Sequence, residues 1–223
     1  VFASVYDAGG MEEVEKMRKL GIPVVLVSEF LEEQPLRRAE WIKFFAAFFG
    51  EDQQQKADAV YSKIELDYQK TAGRLEEVQE SPSVITGLPW GGNWFVPGGK
   101  SFQANFLKDA GAKYIFEENN KTNSFVVDFE IMLQRGMDVP YWINVSDAES
   151  KDEIAAMDNR FPYFAAYKND GIFNNNARKS DSGGNDYWES GAVRPDLILK
   201  DLGKIFHPEL FEKHSFFYYQ HLQ

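Results

Sequence analysis

The sequence contains no cysteine and only three histidines. The absence of cysteine excludes disulfide bonds, thiolate catalysis and cysteine-ligated metal sites, and it leaves the cellular compartment open. His207, His214 and His221 form no recognised ligand motif with the acidic residues near them, so we expect them to cap and pack. The sequence therefore predicts neither a metal site nor a bound cofactor.

Basic residues are scarce relative to acidic ones. Lysine and arginine number 24 against 35 aspartates and glutamates, which gives a formal net charge of −11. A nucleic-acid partner needs a basic face, so this balance argues against one, and it is a poor match to an anionic membrane surface. No run of about 18 apolar residues is present, so no membrane-spanning helix is predicted.

The common catalytic and nucleotide-binding motifs are also missing. The glycines at 91, 92, 98 and 99 do not have the spacing of a dinucleotide-binding fingerprint or a P-loop. No serine lies in a Gly-x-Ser-x-Gly nucleophile elbow. The sequence predicts no catalytic residues.

Residues 51–80 contain no proline and a single glycine, Gly73. Their apolar residues recur every three or four positions, which places them on one side of a helix. These residues are Ala57, Val60, Ile64, Tyr68, Ala72, Leu75 and Val78. At about 1.5 Å per residue the helix would extend roughly 45 Å. We interpret it as a connecting helix between two α/β lobes. The alternative is a long surface helix of a single domain.

Strand and helix patterns alternate on both sides of this stretch. Before it we predict strands at 1–5 and 22–27, which form a βαβ unit with a helix at 11–20, and a further helix at 35–49. After it we predict strands at 83–86, 114–116, 141–145 and 164–167, and helices at 101–110, 128–135, 151–157 and within 187–206. A polar and glycine-rich loop is predicted at 87–100, and the aromatic tail at 216–219 is expected to pack.

The predicted fold is thus α/β, with two βα lobes joined by one long rigid helix. Residues 1–50 would be the remainder of the N-terminal lobe, 51–80 the connecting helix and 81–223 the C-terminal α/β lobe. Because the chain opens within a strand pattern, we expect the first lobe to be truncated at its N-terminus.

Two loops after predicted strands carry aromatic and amide side chains. Because ligands of open α/β sheets bind at the carboxyl ends of strands, Trp90, Trp94 and Phe95 are predicted to form a ligand-facing platform. The alternative is that these rings fold back over the sheet edge. The second loop supplies Asn174, Asn176, Arg178, Asn185, Tyr187 and Trp188, and its alternative reading is a solvated turn. Tyr6, at the end of the first strand, would face the same cleft.

Several segments together resemble periplasmic substrate-binding proteins of ABC importers, of the siderophore and cobalamin type. They are 8–25, 35–43 with the helix after it, 94–101, 110–112, 194–201 and 207–209. The resemblance implies two α/β lobes joined by one rigid helix, a ligand bound between the lobes, and delivery to a permease. It also implies that an exposed glutamate docks on that permease, for which Glu130 is the candidate.

The resulting functional prediction is ligand capture without chemistry. Aromatic faces (Tyr6, Trp90, Trp94, Trp188) would cover apolar parts of an iron–siderophore, haem or cobalamin-like ligand, while Asn174, Asn176 and Arg178 would bind its polar rim. The expected partners are this small molecule and an inner-membrane ABC permease. The protein would be a periplasmic monomer, lipid-anchored through a preceding segment. The alternatives are a glycan-active enzyme using Glu130, Asp186 and Glu189, and a glycan-binding surface protein.

Overall fold

The computed structural model describes residues 1–5 and 8–223. These divide into two compact units, Val1–Glu32 and Glu33–Gln223. Tyr6, one of the predicted ligand contacts, lies outside the described residues. The predicted division at residues 50 and 80 stays a prediction.

The first unit is a βαβ unit, as the sequence predicts. It comprises β1 (Phe2–Ser4), α1 (Ala8–Lys19) and β2 (Val25–Val27), followed by a 3-10 turn. The two strands pair in parallel, with Phe2 opposite Val25. Gly21, at φ 77°, ends the helix, and the N–H of Ile22 donates to the carbonyl of Met17 at 3.1 Å. This pairing is the usual glycine-terminated helix end.

The second unit alternates helices with short strands. In chain order it contains α2 (Pro35–Ala46), α3 (Glu51–Glu76), β3 (Ser83–Thr86), β4 (Pro89–Trp90), β5 (Asn93–Val96), α4 (Phe102–Asp109), β6 (Lys113–Tyr114), β7 (Phe125–Val127), α5 (Phe129–Gly136), β8 (Tyr141–Ile143), α6 (Lys151–Met157), α7 (Ala165–Lys168), β9 (Ile172–Asn174), α8 (Pro195–Phe206) and β10 (Gln220–His221). No helix of the described residues has both the length and the apolarity to cross a membrane.

Five strands form the main sheet, in the order β10-β9-β8-β3-β6. Strands β9, β8, β3 and β6 run parallel, and β10 pairs antiparallel to β9. Helices α4 and α8 bury apolar side chains against this sheet, which gives the layered α/β arrangement. The carboxyl ends of three adjacent parallel strands, β3, β8 and β9, therefore meet at one edge.

The long helix α3 ends at Glu76, four residues before the predicted end. Its buried side chains are Tyr61, Ile64, Tyr68, Thr71 and Leu75. Ile64, Tyr68 and Leu75 belong to the predicted apolar face, whereas Val60 of that face is 53% exposed and Tyr61 is buried beside it. The helix packs against α2, α4 and α8. The Tyr68 hydroxyl donates to Asp109 Oδ2 at 2.6 Å, which ties the helix to α4.

Two predicted elements are wrong. Residues 87–100 are not all loop: β4 and β5 form a hairpin, and β7 completes a three-stranded antiparallel sheet. The turn glycines Gly91 and Gly92 have φ of 58° and 80°, which suits a tight two-residue hairpin turn. The strand predicted at 164–167 is helical, and the strand lies later, at Ile172–Asn174. Short apolar runs do not distinguish the two states.

The aromatic tail packs, as predicted. Tyr218 and Tyr219 are buried and belong to the single hydrophobic core of the second unit. Another part of this core is a cluster of rings formed by Trp94, Trp142, Phe129, Phe161 and Phe164.

Candidate functional site

A cavity of about 300 Å³ opens at the shared carboxyl edge of β3, β8 and β9 in the second unit. This edge is where open α/β sheets bind ligands. The lining residues come from the loops that follow these strands and from the small antiparallel sheet. They are Thr86, Gly87, Phe95, Pro97, Gln103, Ser124, Asn144, Ser146, Asp147, Asn175, Asn185 and Trp188.

The loop after β8 has an unusual backbone where it meets the cavity. Asn144 and Ser146 have φ of 55° and 52°, in the left-handed region that non-glycine residues rarely adopt. The Asn174 amide donates to the carbonyls of Ser146 and Ala148, both at 2.9 Å. The Tyr219 hydroxyl donates to Asn144 Oδ1 at 2.9 Å. These bonds fix a backbone that is costly by itself, a feature that clusters at ligand sites.

Asn175 Nδ2, a buried polar atom in the cavity wall, lacks a hydrogen-bond partner. Asn175 is only 3% exposed, and another lining residue, Thr86, is 2% exposed. The Thr86 hydroxyl lies near enough to the Tyr114 phenol to lower its pKa against the larger, raising effect of burial. That phenol donates its own proton to the Pro97 carbonyl. An unmet buried amide is costly, so Asn175 points to a group that accepts its hydrogen bond.

Two of the predicted aromatic contacts reach the cavity. Phe95 and Trp188 line it and are 45% and 53% exposed. The Trp188 ring stands edge-on to Tyr187, with centroids 4.8 Å apart. An exposed aromatic face beside amides is a suitable surface for the apolar part of a ligand.

Trp94 and Tyr187 were expected to face a ligand, and the structure corrects this. Trp94 is fully buried, and its Nε1 donates to the Thr86 carbonyl at 3.0 Å. Tyr187 is 3% exposed, and burial raises its pKa to about 12. Along β5, side chains alternate between the core and solvent, so Trp94 points inward and Phe95 outward.

The side chains of Asn174 and Asn176 form hydrogen bonds with other groups of the protein. Asn174 supports the β8 loop. Asn176 donates to the Ala148 carbonyl at 3.1 Å and accepts from the Gln220 amide at 2.8 Å. Their intervening neighbour Asn175 lines the cavity instead. Alternation along an extended segment separates the three amides, so Asn175 lines the cavity while the two predicted amides bond to the protein.

The remaining predicted ligand contacts, Trp90 and Arg178, and the predicted permease-docking residue Glu130 lie away from the cavity lining. Trp90 is 80% exposed beside the hairpin turn. Arg178 pairs with Asp186 through its Nε, at 2.9 Å, in a neighbouring depression of the 177–189 loop. Glu130 is exposed on α5. None of these three residues is among the side chains that line the cavity.

Several lining residues were missed by reasoning from aromatic loops. Asn144, Ser146 and Asp147 directly follow β8, so their position after a buried strand was the available signal. Gln103 lies on α4 and Ser124 precedes β7. No local sequence pattern marks those two, because the fold alone brings them to this edge.

One of the carboxylates proposed for an alternative glycan-cleaving enzyme, Asp186, does not have the property required of the general acid. Hydrogen bonding to Arg178 lowers the pKa of Asp186, which keeps it ionised, whereas a general acid needs a raised pKa. Among the described residues, no group of three or more histidines, aspartates or glutamates is placed to hold a metal ion.

A family model described as "Periplasmic binding protein" matches residues 5–175. The chain belongs to this family. The resemblance seen in the sequence is therefore confirmed, and so is the fold class: the mixed α/β structure matches the two-lobe fold of periplasmic binding proteins, with its connecting helix.

Two curated relatives of this periplasmic binding protein come from Methanocaldococcus jannaschii, and both are named uncharacterized lipoproteins. One is 30% identical over 210 residues, which cover 93% of this chain and 47% of the relative. The other is 26% identical over 203 residues, covering 88% and 49%. The chain thus spans about half the length of these relatives.

Solved structures of other proteins share the fold at low sequence identity. Helicobacter pylori CeuE with Ni(II) bound has a TM-score of 0.69 at 18% identity, covering 96% of this chain and 63% of that chain. The heme-binding protein RhuT from Roseiflexus has 0.68 at 15%, covering 93% and 75%. A possible iron-binding protein of Staphylococcus epidermidis has 0.66 at 15%, covering 92% and 76%.

Proposed function

We propose that this protein is the solute-binding component of an ABC importer. It captures a metal chelate, either an iron–siderophore, haem or a cobalamin-like ligand, and passes it unchanged to a permease. The observation that carries the proposal is the cavity at the carboxyl edge of the parallel sheet, which combines an unpartnered buried amide (Asn175) with two exposed rings (Phe95 and Trp188). These groups bind a ligand without performing a reaction on it.

The names of the structural neighbours support a metal-containing ligand. One structure holds Ni(II), another is named as heme-binding and a third as a possible iron-binding protein. A ring with a metal at its centre, or a folded chelate, is large relative to a cavity of about 300 Å³. The second unit therefore covers only part of such a ligand, through Phe95 and Trp188.

The proposed contact with the ABC permease is made by Glu130. This exposed glutamate on α5 docks on a basic group of the permease, and it lies outside the ligand cavity. The protein acts as an extracytoplasmic monomer. Lipid anchoring is supported by the name lipoprotein that two relatives carry.

Native mass spectrometry of the intact protein tests the function. The protein is mixed with a panel containing ferric siderophores, haem and cobalamin, and with free oligosaccharides as the competing class. We expect a one-to-one complex with at least one metal chelate and no complex with the sugars. Binding of an oligosaccharide alone would contradict the proposal.

A further inference from the structure

We infer that the cavity selects an uncharged or cationic chelate rather than a polyanionic one. This inference rests on the proposed function and narrows it, because the proposed ligands differ widely in charge. Catecholate siderophores carry several negative charges and haem carries two carboxylates, whereas hydroxamate siderophores and cobalamins present mainly neutral amide-type oxygens.

The first support is the charge of the cavity wall. Among the described residues that line the cavity, Asp147 is the only acidic or basic one. Asp147 is an exposed residue that lines the cavity, so its carboxylate lies within reach of a bound ligand. A polyanion placed here would meet a like charge, and none of the described lining residues is a cation that compensates for it.

The second support is the state of the two cations that follow the lining residue Asn175 in the chain. The loop after β9 carries Arg178 and Lys179, which would be natural partners for an anionic ligand. Arg178 instead pairs with Asp186, and Lys179 pairs with Glu149. Arg178 also lies over the ring of Phe217, 4.3 Å from its centroid. Both cations face the neighbouring depression rather than the cavity.

The third support is the kind of polar group that the wall offers. Its donors are neutral amides and hydroxyls, among them Asn175, Asn185 and Ser124. Neutral donors of this kind pair well with carbonyl or hydroxamate oxygens. Phe95 and Trp188 give the same ligand an apolar surface to rest on.

A titration of the intact protein with chelates of different charge tests the inference. The probes are an uncharged ferric trihydroxamate, a monocationic one and a trianionic ferric tris-catecholate of similar size, followed by quenching of tryptophan fluorescence. We expect the uncharged and cationic complexes to bind at least about tenfold more tightly than the trianionic complex. Equal or tighter binding of the trianion would overturn the inference. Failure of every metal chelate to bind is a different result, which overturns the proposed function and this inference with it.

An Asp147→Asn variant isolates the cause. It should strengthen binding of the trianion by about threefold to tenfold relative to binding of the uncharged chelate. The matched control is Asp152→Asn, which makes the same charge change at an exposed position on α6 outside the cavity. If the two variants shift the trianion equally, the charge at Asp147 is not the selecting group and the inference is overturned.

An Asn175→Asp variant tests the donor. Replacing the amide by a carboxylate removes the donor and should weaken the uncharged chelate by about tenfold. Asn169→Asp, exposed at the end of α7, is the control and should leave affinity unchanged. Thermal unfolding verifies that both variants fold. If Asn175→Asp does not fold, the comparison of Asp147→Asn with Asp152→Asn decides the question. Unaltered binding of the uncharged chelate by a folded Asn175→Asp variant would overturn the claim that the Asn175 amide donates a hydrogen bond to the ligand.

Discussion

The carboxylate of Asp201 accepts the backbone N–H of Tyr218 at 2.7 Å, and both residues are fully buried. The same carboxylate accepts the backbone N–H groups of Phe217 and Tyr219 and meets His214 Nε2 at 2.6 Å. It therefore anchors the aromatic tail to α8. The tail in turn supplies the Tyr219 hydroxyl that holds Asn144 at the cavity, so a buried helix carboxylate supports the ligand site indirectly.

Replacement of Asp201 by alanine should destabilise the protein strongly. Three backbone donors would lose a charged acceptor inside the core, and each unmet donor costs about 1–3 kcal/mol. We expect the free energy of unfolding to fall by about 3 kcal/mol or more. Urea denaturation followed by circular dichroism measures it. Asp181→Ala, at an exposed loop position, is the control, and similar losses for the two variants would show that the anchor contributes little.

Tyr68→Phe should make the stability more sensitive to pH. Burial raises the pKa of Asp109 above 3.8, and the hydrogen bond from Tyr68 acts in the opposite direction. Because the folded pKa is raised, stability from this group is present below the unfolded pKa and is lost as pH rises through the folded value. Removing the Tyr68 hydroxyl raises the folded pKa of Asp109 further. The loss of stability in the variant should therefore grow as the pH rises above about 4 and should reach about 1–2 kcal/mol.

Chemical denaturation at several pH values follows this deficit. In an Asp109→Asn background, Tyr68→Phe should lower the free energy of unfolding by an amount that does not depend on pH, because position 109 then carries no carboxylate that could ionise. If Asp109 is present and the loss of stability is still constant with pH, the Tyr68 hydroxyl does not stabilise the ionised form of Asp109.

Two glycine substitutions should have opposite effects. A Cβ at Gly99 would lie 2.4 Å from the carbonyl oxygens of Asn119 and Glu117, so Gly99→Ala should cost about 2 kcal/mol or more. A Cβ at Gly73 in α3 meets nothing within 4 Å, and Gly73→Ala should stabilise by about 0.5–1 kcal/mol. Thermal unfolding of both variants compares them directly. A loss of stability in Gly73→Ala would mean that α3 packs more tightly there than its contacts indicate.

The fold was predictable where periodicity is strong. Apolar spacing placed the buried side of α3, including Ile64, Tyr68 and Leu75, and glycine marked the end of α1 at Gly21. The errors came from short segments. Gly91-Gly92 between two aromatic-rich runs is a recognised hairpin signal, but our prediction assigns this segment to a loop. The apolar run at 164–167 is compatible with either a helix or a strand.

The site was less predictable, because residues meet there only through the fold. Phe95 and Trp188 were foreseen from aromatic residues beside glycine or polar turns, but Trp94 was not distinguished from its neighbour. A shift of one residue along a strand reverses the direction of a side chain, and the pattern did not fix that register. Gln103 and Ser124 reach the cavity from distant elements, so only the three-dimensional arrangement reveals them.

Truncation of the two exposed rings in the cavity should weaken chelate binding without unfolding the protein. Phe95 and Trp188 are each about half exposed, so Phe95→Ala and Trp188→Ala remove little core packing. Loss of an aromatic contact that the ligand would desolvate should weaken binding by about tenfold in each case. Trp90→Ala is the matched control, because Trp90 is more exposed but does not line the cavity. Isothermal titration with a chelate identified by native mass spectrometry measures the three affinities. If Trp90→Ala weakens binding and Trp188→Ala does not, the ligand rests on the hairpin rather than at the carboxyl edge of the sheet, and the cavity is not the binding site.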